Sequence, residues 1–239
     1  MFFRKKGFYE KYIKRLLDII CSFFVIVFFF WFYIILAILV KWKLGTPIFF
    51  KQLRPGLIDQ KTNKERIFGM YKFRTMTDER DEDGNLLPDE MRLTPFGKKL
   101  RASSLDELPE VINILKGDMS FIGPRPQLVQ DMVFMTDAQR MRHTAMPGLS
   151  GLAQIKGRNA ITWDDKFRWD LKYIQSISFK EDILILMDTL KQVFLRTSTK
   201  EELDLSIDYG DDLLQRGLIS QEEYDELQEY AKFIIDQHE

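Results

Sequence analysis

The sequence predicts a mainly α-helical chain with one small β-hairpin, an α+β fold carried on an N-terminal membrane helix. Three observations predict it. Residues 19–40 form a run of 22 residues without a charge, six of them Phe. Two short stretches rich in β-formers, residues 48–54 and 66–76, follow it with turn residues between them. Beyond residue 104, apolar side chains recur at helical spacing.

A run of that length crosses about 30 Å of hydrocarbon. Mean hydropathy is −0.22 for the whole chain, so this is one greasy segment on an otherwise polar protein. It is too long for a cleavable leader, and no small-residue cleavage site follows. A buried core helix rarely runs so far without a charge. Arg4, Lys5, Lys6, Lys11, Lys14 and Arg15 precede the run, and Lys41, Lys43, Lys51 and Arg54 follow it. Basic flanks belong on the cytoplasmic side. A spanning helix leaves one cluster on the wrong side, whereas a re-entrant helix satisfies both. Re-entry needs a bend, normally from Pro or Gly, and the run has neither. Both topologies stay open.

After the run, Thr46-Pro47 breaks the helix, residues 48–54 read as a strand closed by Pro55-Gly56, and residues 66–76 read as its partner. Alternation puts Lys72 and Arg74 on one face. Residues 77–91 are acidic and read as a loop. Leu105, Leu108, Ile112 and Leu115 then mark a helix that starts near Ser104 and stops at Gly117. The loop ending in Pro124-Arg125-Pro126 leads to a helix from about Gln127, and a second Gly-rich stretch runs over residues 147–159. Trp163, Phe167, Leu171 and Ile174 form one stripe of the next helix, with Lys166, Arg168 and Lys172 beside it. That pattern fits a helix on a membrane surface and a helix packed in a core equally well.

From Ser198 the chain reads as an acidic helical hairpin. Ser198-x-x-Glu201 and Ser220-x-x-Glu223 are capping-box patterns, and Gly217 sits in the turn. Ile219, Tyr224, Leu227, Tyr230, Phe233 and Ile234 offer an apolar face. That face either folds back on the body, pairs with a second copy, or meets another protein. The expected divisions are therefore 1–45 for the basic N-terminus and membrane helix, 46–197 for a core and 198–239 for the hairpin.

Charge follows the same division. Net charge is −1, yet residues 200–239 carry 13 Asp/Glu against 3 Lys/Arg, leaving 23 against 32 in the body. A basic body on a membrane helix argues against nucleic acid as the partner. Cys21, the single cysteine, excludes a disulfide framework and a zinc knuckle, and two histidines exclude a His-rich metal site.

No G-x-S-x-G, C-x-x-C or H-E-x-x-H is present, and Gly97-Lys98-Lys99 lacks the remaining residues of a phosphate-binding loop. What remains is a set of cations, Lys72, Arg74, Arg101, Arg125 and Arg158, beside Gly, Pro or strand ends, and the acid pair Asp106-Glu107. Convergent cations need anions, and a polyphosphate is the economical one. Ser104-x-x-Glu107 by itself reads first as a capping box, with acids favoured in a first turn.

These residues carry a resemblance. Lys14-Arg-Leu-Leu-Asp18, Tyr71-Lys-Phe-Arg-Thr-Met76, Arg101-Ala-Ser-Ser-Leu-Asp-Glu-Leu-Pro109, Leu115-Lys-Gly-Asp-Met-Ser-Phe-Ile-Gly-Pro-Arg-Pro126 and Pro147-Gly-Leu-Ser-Gly-Leu-Ala-Gln154 are similar to the bacterial sugar transferase family. This is the small, monotopic type of polyprenol-phosphate phosphoglycosyl transferase, and the resemblance covers roughly residues 10–195. Gly157-Arg-Asn-Ala-Ile-Thr-Trp163 looks most like the enzymes that open N-glycan assembly in Campylobacter-type bacteria, which use N,N′-diacetylbacillosamine. The resemblance implies transfer of a sugar 1-phosphate from a UDP-sugar, with an N-acetylated amino sugar expected, to undecaprenyl phosphate with release of UMP. It implies Mg²⁺ and a ping-pong route through an aspartyl intermediate, at the cytoplasmic face of the bacterial inner membrane. Asp106 would be the nucleophile, Glu107 would assist the second half-reaction, and both would be metal ligands. Lys72, Arg74, Arg101, Arg125, Arg158 and Asn159 would bind substrate, with a helix N-terminus at residues 105–107 adding positive potential. The family's helix-breaking Ser-Pro pair is replaced here by Phe30-Trp31. The alternative in another class is a non-catalytic membrane adaptor that docks partners through the acidic hairpin.

Overall fold

The computed structural model describes residues 4–157, 161–194 and 207–238. They divide into two compact units. One is Ile19–Gln52 with Met70–Lys116; the other is drawn from Met1–Asp18, Leu53–Gly69 and Gly117–Glu239.

The first unit is built on the apolar run. Helix α1 (Lys14–Leu44) follows a π-helical turn at Tyr9–Ile13, and no residue leaves the helix at Phe30 or Trp31. Leu36, Val40 and Leu44, spaced by four, are buried with Phe73 and Leu100. Much of the rest of the run is not covered: Phe23, Phe28, Phe30, Trp31, Ile34 and Ile38 are all exposed. Tyr9–Leu44 is long and apolar enough to cross a membrane, and only 11% of its most apolar window is buried. The core-helix reading is thereby excluded, because so large an apolar face needs an apolar solvent.

Strands β1 (Phe49–Ile58) and β2 (Glu65–Phe73) form the expected two-stranded sheet. β1 runs through Pro55-Gly56 instead of stopping there. Pro is tolerated in a strand with a free edge, and a β-carbon on Gly56 would lie 3.0 Å from the Arg66 carbonyl. β2 ends at Phe73, three residues early, and Arg74 N–H then donates to Ile48 O at 2.9 Å. Helix α2 (Pro95–Ala102) starts with Pro at its first turn and with Thr94 Oγ1 accepting from Gly97 N at 3.0 Å. A β-carbon on Gly97 would sit 1.8 Å from Thr75 O. This glycine therefore serves a close helix approach, not a phosphate. Helix α3 (Glu110–Lys116) completes the unit.

The second unit holds an element that the pattern missed. β3 (Ser120–Ile122) and β4 (Gly148–Ser150) pair in parallel, Ser120 with Gly148 and Ile122 with Ser150. Three residues are too few for alternation to register, and both strands read as Gly-rich loop. The helix expected from Gln127 is a single turn, Val129–Met132. Helices α4 (Leu152–Gly157), α5 (Trp163–Gln175) and α6 (Phe179–Phe194) surround a core of Ile122, Ala145, Leu152, Tyr173, Ile174 and Ile185. On α5, Trp163, Phe167 and Ile174 of the stripe are buried and Leu171 is half-buried against the same core, so the stripe is core. The uncovered apolar stripe lies instead on α6, where Phe179, Ile183, Leu184, Met187 and Leu190 are exposed.

Residues ahead of the apolar run are fastened into this same unit. Tyr9 OH donates to Asp182 Oδ2 at 2.8 Å, and Lys14 pairs with the same carboxylate. Asp18 Oδ1 accepts from Ser120 Oγ and Phe121 N, each at 3.1 Å. Arg4 pairs with Glu10 and donates to Thr144 Oγ1 at 3.2 Å.

The C-terminal hairpin also belongs here. Helices α7 (Tyr209–Gln215) and α8 (Gln221–Asp236) turn at Gly217, whose φ is 66°, and Ser220 Oγ accepts from Glu223 N at 3.1 Å. The expected onset at Ser198 and its pattern with Glu201 lie outside the described residues. The hairpin folds back: Tyr209 sits 5.1 Å from the Trp163 ring and 5.0 Å from that of Phe167, and Tyr224 stacks on Phe134 at 5.6 Å. Ile219 and Leu227 join this cluster, whereas Tyr230 and Phe233 stay exposed.

Candidate active site

The site grows out of the turn between α2 and α3, in the first unit. Ser103 closes α2, and Ser104 adopts a left-handed conformation, φ 55° and ψ 20°. A 3₁₀ turn, Leu105–Glu107, follows, and α3 begins only at Glu110 after Pro109. The expected capping box is therefore not formed: Ser104 makes no side-chain cap, because its backbone lacks the extended N-cap conformation. The helix N-terminus expected at residues 105–107 is a 3₁₀ turn, and the α-helix starts only at Glu110. A left-handed Ser is a strained position, and it stands two residues before Asp106.

Leu105 and Leu108 anchor the turn in the core of the unit, and Tyr33 OH donates to Leu108 O at 2.8 Å. Asn113 Oδ1 accepts from Tyr71 N at 3.0 Å and ties α3 to β2. This brings Lys72 to the acids: its Nζ lies 2.9 Å from Glu107 Oε1 and 3.4 Å from Glu110 Oε1. Asp106 is 7% exposed. Burial raises its carboxyl above the ordinary Asp value, the Glu107 charge raises it further, and Lys72 and Arg101 oppose the shift. The turn thus holds a desolvated carboxylate between a like charge and two cations.

The other cations divide. Arg101 donates from Nε to Thr75 Oγ1 at 3.0 Å, with its side chain otherwise toward solvent. Arg74 is buried and held by the protein itself, bonding Met76 O at 2.8 Å, Thr46 O at 2.7 Å and Asp78 at 2.9 Å. Arg158 and Asn159 lie outside the described residues. Arg125 is in the second unit, on a loop whose three carbonyls each take a donor. Gly148 N donates to Pro124 O at 2.9 Å, Arg142 Nη2 to Arg125 O at 2.6 Å and Arg54 Nη1 to Pro126 O at 3.2 Å. Sequence reasoning missed Glu110, Asn113 and Thr75 as partners of the site. Glu110 had a signal, since it stands three residues after Glu107, as a helical neighbour does.

Among the described residues no three His, Cys, Asp or Glu side chains gather as a ready-made metal cage. The pair Asp106 and Glu107 nonetheless fits Mg²⁺, which takes one or two carboxylates and draws its remaining ligands from phosphates and water.

The sequence profile of the bacterial sugar transferases matches residues 9–196. The chain belongs to that family. Over 183 residues it is 46% identical to the uncharacterized sugar transferase EpsL of Bacillus subtilis (strain 168), covering 77% of this chain and 88% of that one. It is 35% identical over 193 residues to the UDP-N-acetylgalactosamine-undecaprenyl-phosphate N-acetylgalactosaminephosphotransferase of Aeromonas hydrophila, covering 76% of this chain and 44% of that one. It is 34% identical over 195 residues to the UDP-glucose:undecaprenyl-phosphate glucose-1-phosphate transferase of Klebsiella pneumoniae, covering 77% and 41%. The chain therefore spans less than half the length of these two relatives.

Proposed function

We propose that this sugar transferase moves a sugar 1-phosphate from a UDP-sugar to undecaprenyl phosphate and releases UMP. The observation that carries the reading is the buried Asp106, flanked by Glu107 and opposed by Lys72 and Arg101, in a chain of this family. An Asp106 oxygen attacks the phosphorus that bears the sugar. The P–O bond to UMP breaks, UMP leaves with the electron pair, and the sugar phosphate remains on the aspartate as an acyl phosphate. An oxygen of undecaprenyl phosphate then attacks the same phosphorus, releasing the Asp106 carboxylate and forming the lipid diphosphate sugar. Covalent catalysis divides one displacement into two. Glu107, already held by Lys72 at 2.9 Å, assists the second displacement. Arg101, Arg125 and Arg158 hold phosphates. Mg²⁺, held by Asp106 and Glu107, would neutralise phosphate charge when bound.

The named relatives act on N-acetylgalactosamine and glucose donors. The resemblance over residues 157–163 favours an N-acetylated amino sugar. The test is UMP release from a panel of UDP-sugars with undecaprenyl phosphate. UMP is expected fastest from a UDP-N-acetylated amino sugar, and no release from any donor rejects the reading.

The enzyme works at a bilayer, and both flanks of its apolar run belong on one face of it, the cytoplasmic one. What supports this is the second unit, where Tyr9, Lys14 and Asp18 ahead of the run bond residues 120, 121 and 182 after it. A helix that crossed completely would separate those partners by the membrane. The exposed apolar stripe of α6, in that same unit, would then rest at the bilayer surface. In a Cys21→Ser background, Lys6→Cys is expected to resist an impermeant maleimide in intact cells and to react after lysis. Labelling in intact cells would sink the one-face topology.

A further inference from the structure

We propose that Arg142, held by Asp170, is a positioning residue for Arg125: it fixes the backbone from which Arg125 reaches the phosphates of the donor. The proposal rests on the reading that Arg125 holds phosphate, and every group in it lies in the second unit.

Arg142 and Asp170 are 1% and 2% exposed. Arg142 Nε and Nη2 both donate to Asp170 Oδ2, at 2.9 and 2.6 Å, and Nη2 also donates to Arg125 O at 2.6 Å. Its remaining nitrogen, Nη1, is 3.2 Å from His143 Nε2. His143 Nδ1 lies 3.0 Å from Glu65 Oε1, and Arg140 donates to both Glu65 oxygens at 2.8 Å. Burial keeps this histidine neutral, lowering its pKa to about 4. Burial would raise Glu65, but its bonds from His143 and Arg140 bring it down to about 2. Glu65 is then an acceptor for the His143 Nδ1 proton, which leaves Nε2 to accept from Arg142. The guanidinium is gripped on three sides, and it reaches the loop through its bond to the carbonyl of Arg125.

Stability alone does not require such a pair. Two buried charges are costly to desolvate, and apolar side chains of the same volume often serve the fold as well or better. What an apolar pair does not do is donate to a loop carbonyl. Prolines on either side of Arg125 fix their own φ, and neighbouring donors hold their carbonyls. The Arg125 peptide is the link between them that Arg142 sets. A phosphate-holding arginine loses much of its effect if its root shifts by an ångström, since misplacement on that scale costs up to about 100-fold in rate.

The test is a double-mutant cycle read as kcat/KM for the UDP-sugar in the 239-residue chain. Arg142→Met combined with Asp170→Leu removes both charges together, so the melting temperature should stay near that of the wild type. This variant is expected to lose about 10- to 100-fold in kcat/KM. In an Arg125→Ala background, itself impaired, the same pair of changes should cost nothing further, because residues that act through one another are not additive. Arg142→Lys keeps Asp170 neutralised and supplies a second cycle should the apolar pair fail to fold; its smaller loss should likewise vanish in the Arg125→Ala background. Losses that add independently of Arg125 overturn the positioning role. Wild-type kcat/KM in Arg125→Ala alone would overturn the phosphate-holding reading first, and the positioning role with it.

Discussion

Asp106→Asn is expected to lower UMP release by about 10³-fold or more, the scale on which removal of a covalent nucleophile acts. Asn has the shape of Asp and removes only the charge, so the buried turn at Leu105–Glu107 should persist and the loss should be chemical. Incubating the wild-type enzyme with UDP-sugar and no acceptor should add the mass of one sugar phosphate, and the variant should add none. Full turnover by the variant would end the covalent mechanism. The acid limb of kcat/KM for the donor supplies the electrostatic half of the prediction. The proposed attack requires an ionised Asp106, and burial followed by the Glu107 charge raises its pKa above the ordinary Asp value. Activity should therefore fall away, as pH drops, earlier than an ordinary aspartate allows. Glu107→Gln removes a like charge and should move that limb to lower pH, whatever it does to the rate. Lys72→Met removes an opposing cation and should move it to higher pH. Shifts in the reverse directions would mean that another group titrates.

Which parts of this were legible in the sequence follows from what one-dimensional patterns carry. The apolar run was readable because length and absence of charge are properties of composition, and α1 follows it closely. The Asp106 turn was misread because Ser-x-x-Glu denotes a cap only if the Ser backbone is extended. Nothing in the letters announces that Ser104 is left-handed, although Pro109 was a visible reason to delay the helix. Lys72 and Arg74 share a face only while the strand lasts. β2 ends at Phe73, the alternation stops, and Arg74 turns to the chain around Thr46 and Met76 while Lys72 stays with Glu107. Amphipathic periodicity likewise finds a face without naming what covers it. α5 and α6 both carry one, yet protein covers the first and leaves the second exposed. That choice is made by tertiary contacts such as Tyr9 OH on Asp182, at 2.8 Å, which no local window contains.

Deleting residues 207–239 should destabilise the protein severely, although the sequence left open whether they fold back on the body, pair with a second copy or meet a downstream glycosyltransferase. The hairpin covers Phe134, Trp163 and Phe167, and it inserts Tyr209 between them, itself 3% exposed. Hydrogen bonds go with it, among them Trp163 Nε1 to Ile207 O at 2.9 Å, Tyr209 N to Asp131 Oδ1 at 2.9 Å, Gln130 Nε2 to Asp208 at 2.9 Å, Gln139 Nε2 to Tyr209 OH at 2.8 Å and Arg216 Nη2 to Asp164 Oδ2 at 3.1 Å. Uncovering large side chains costs about 1.5–3 kcal/mol each. A loss of at least about 3 kcal/mol is expected, roughly 6–12 °C in melting temperature for a chain of this size. Gly210→Val should act in the same direction with the tail still present, since a β-carbon there meets the Phe134 ring at 2.5 Å. The pH dependence gives the contact its signature. Burial, with help from the Asp208 charge and against the Tyr209 and Leu128 N–H bonds, raises Asp131 to about 6. A carboxyl raised in the folded state binds more protons there than in the unfolded chain, so its stabilising contribution is full below the ordinary Asp value and is lost as pH rises through about 6. Deletion exposes Asp131 and abolishes that contribution. The gap in melting temperature between the full and truncated chains should therefore be wider at pH 5 than at pH 7. An equal melting temperature at both pH values would mean that the hairpin is not part of the folded body. In detergent, an unchanged monomer mass after deletion would assign the hairpin to that body alone, and a drop from dimer to monomer mass would give Tyr230 and Phe233 a second copy to meet.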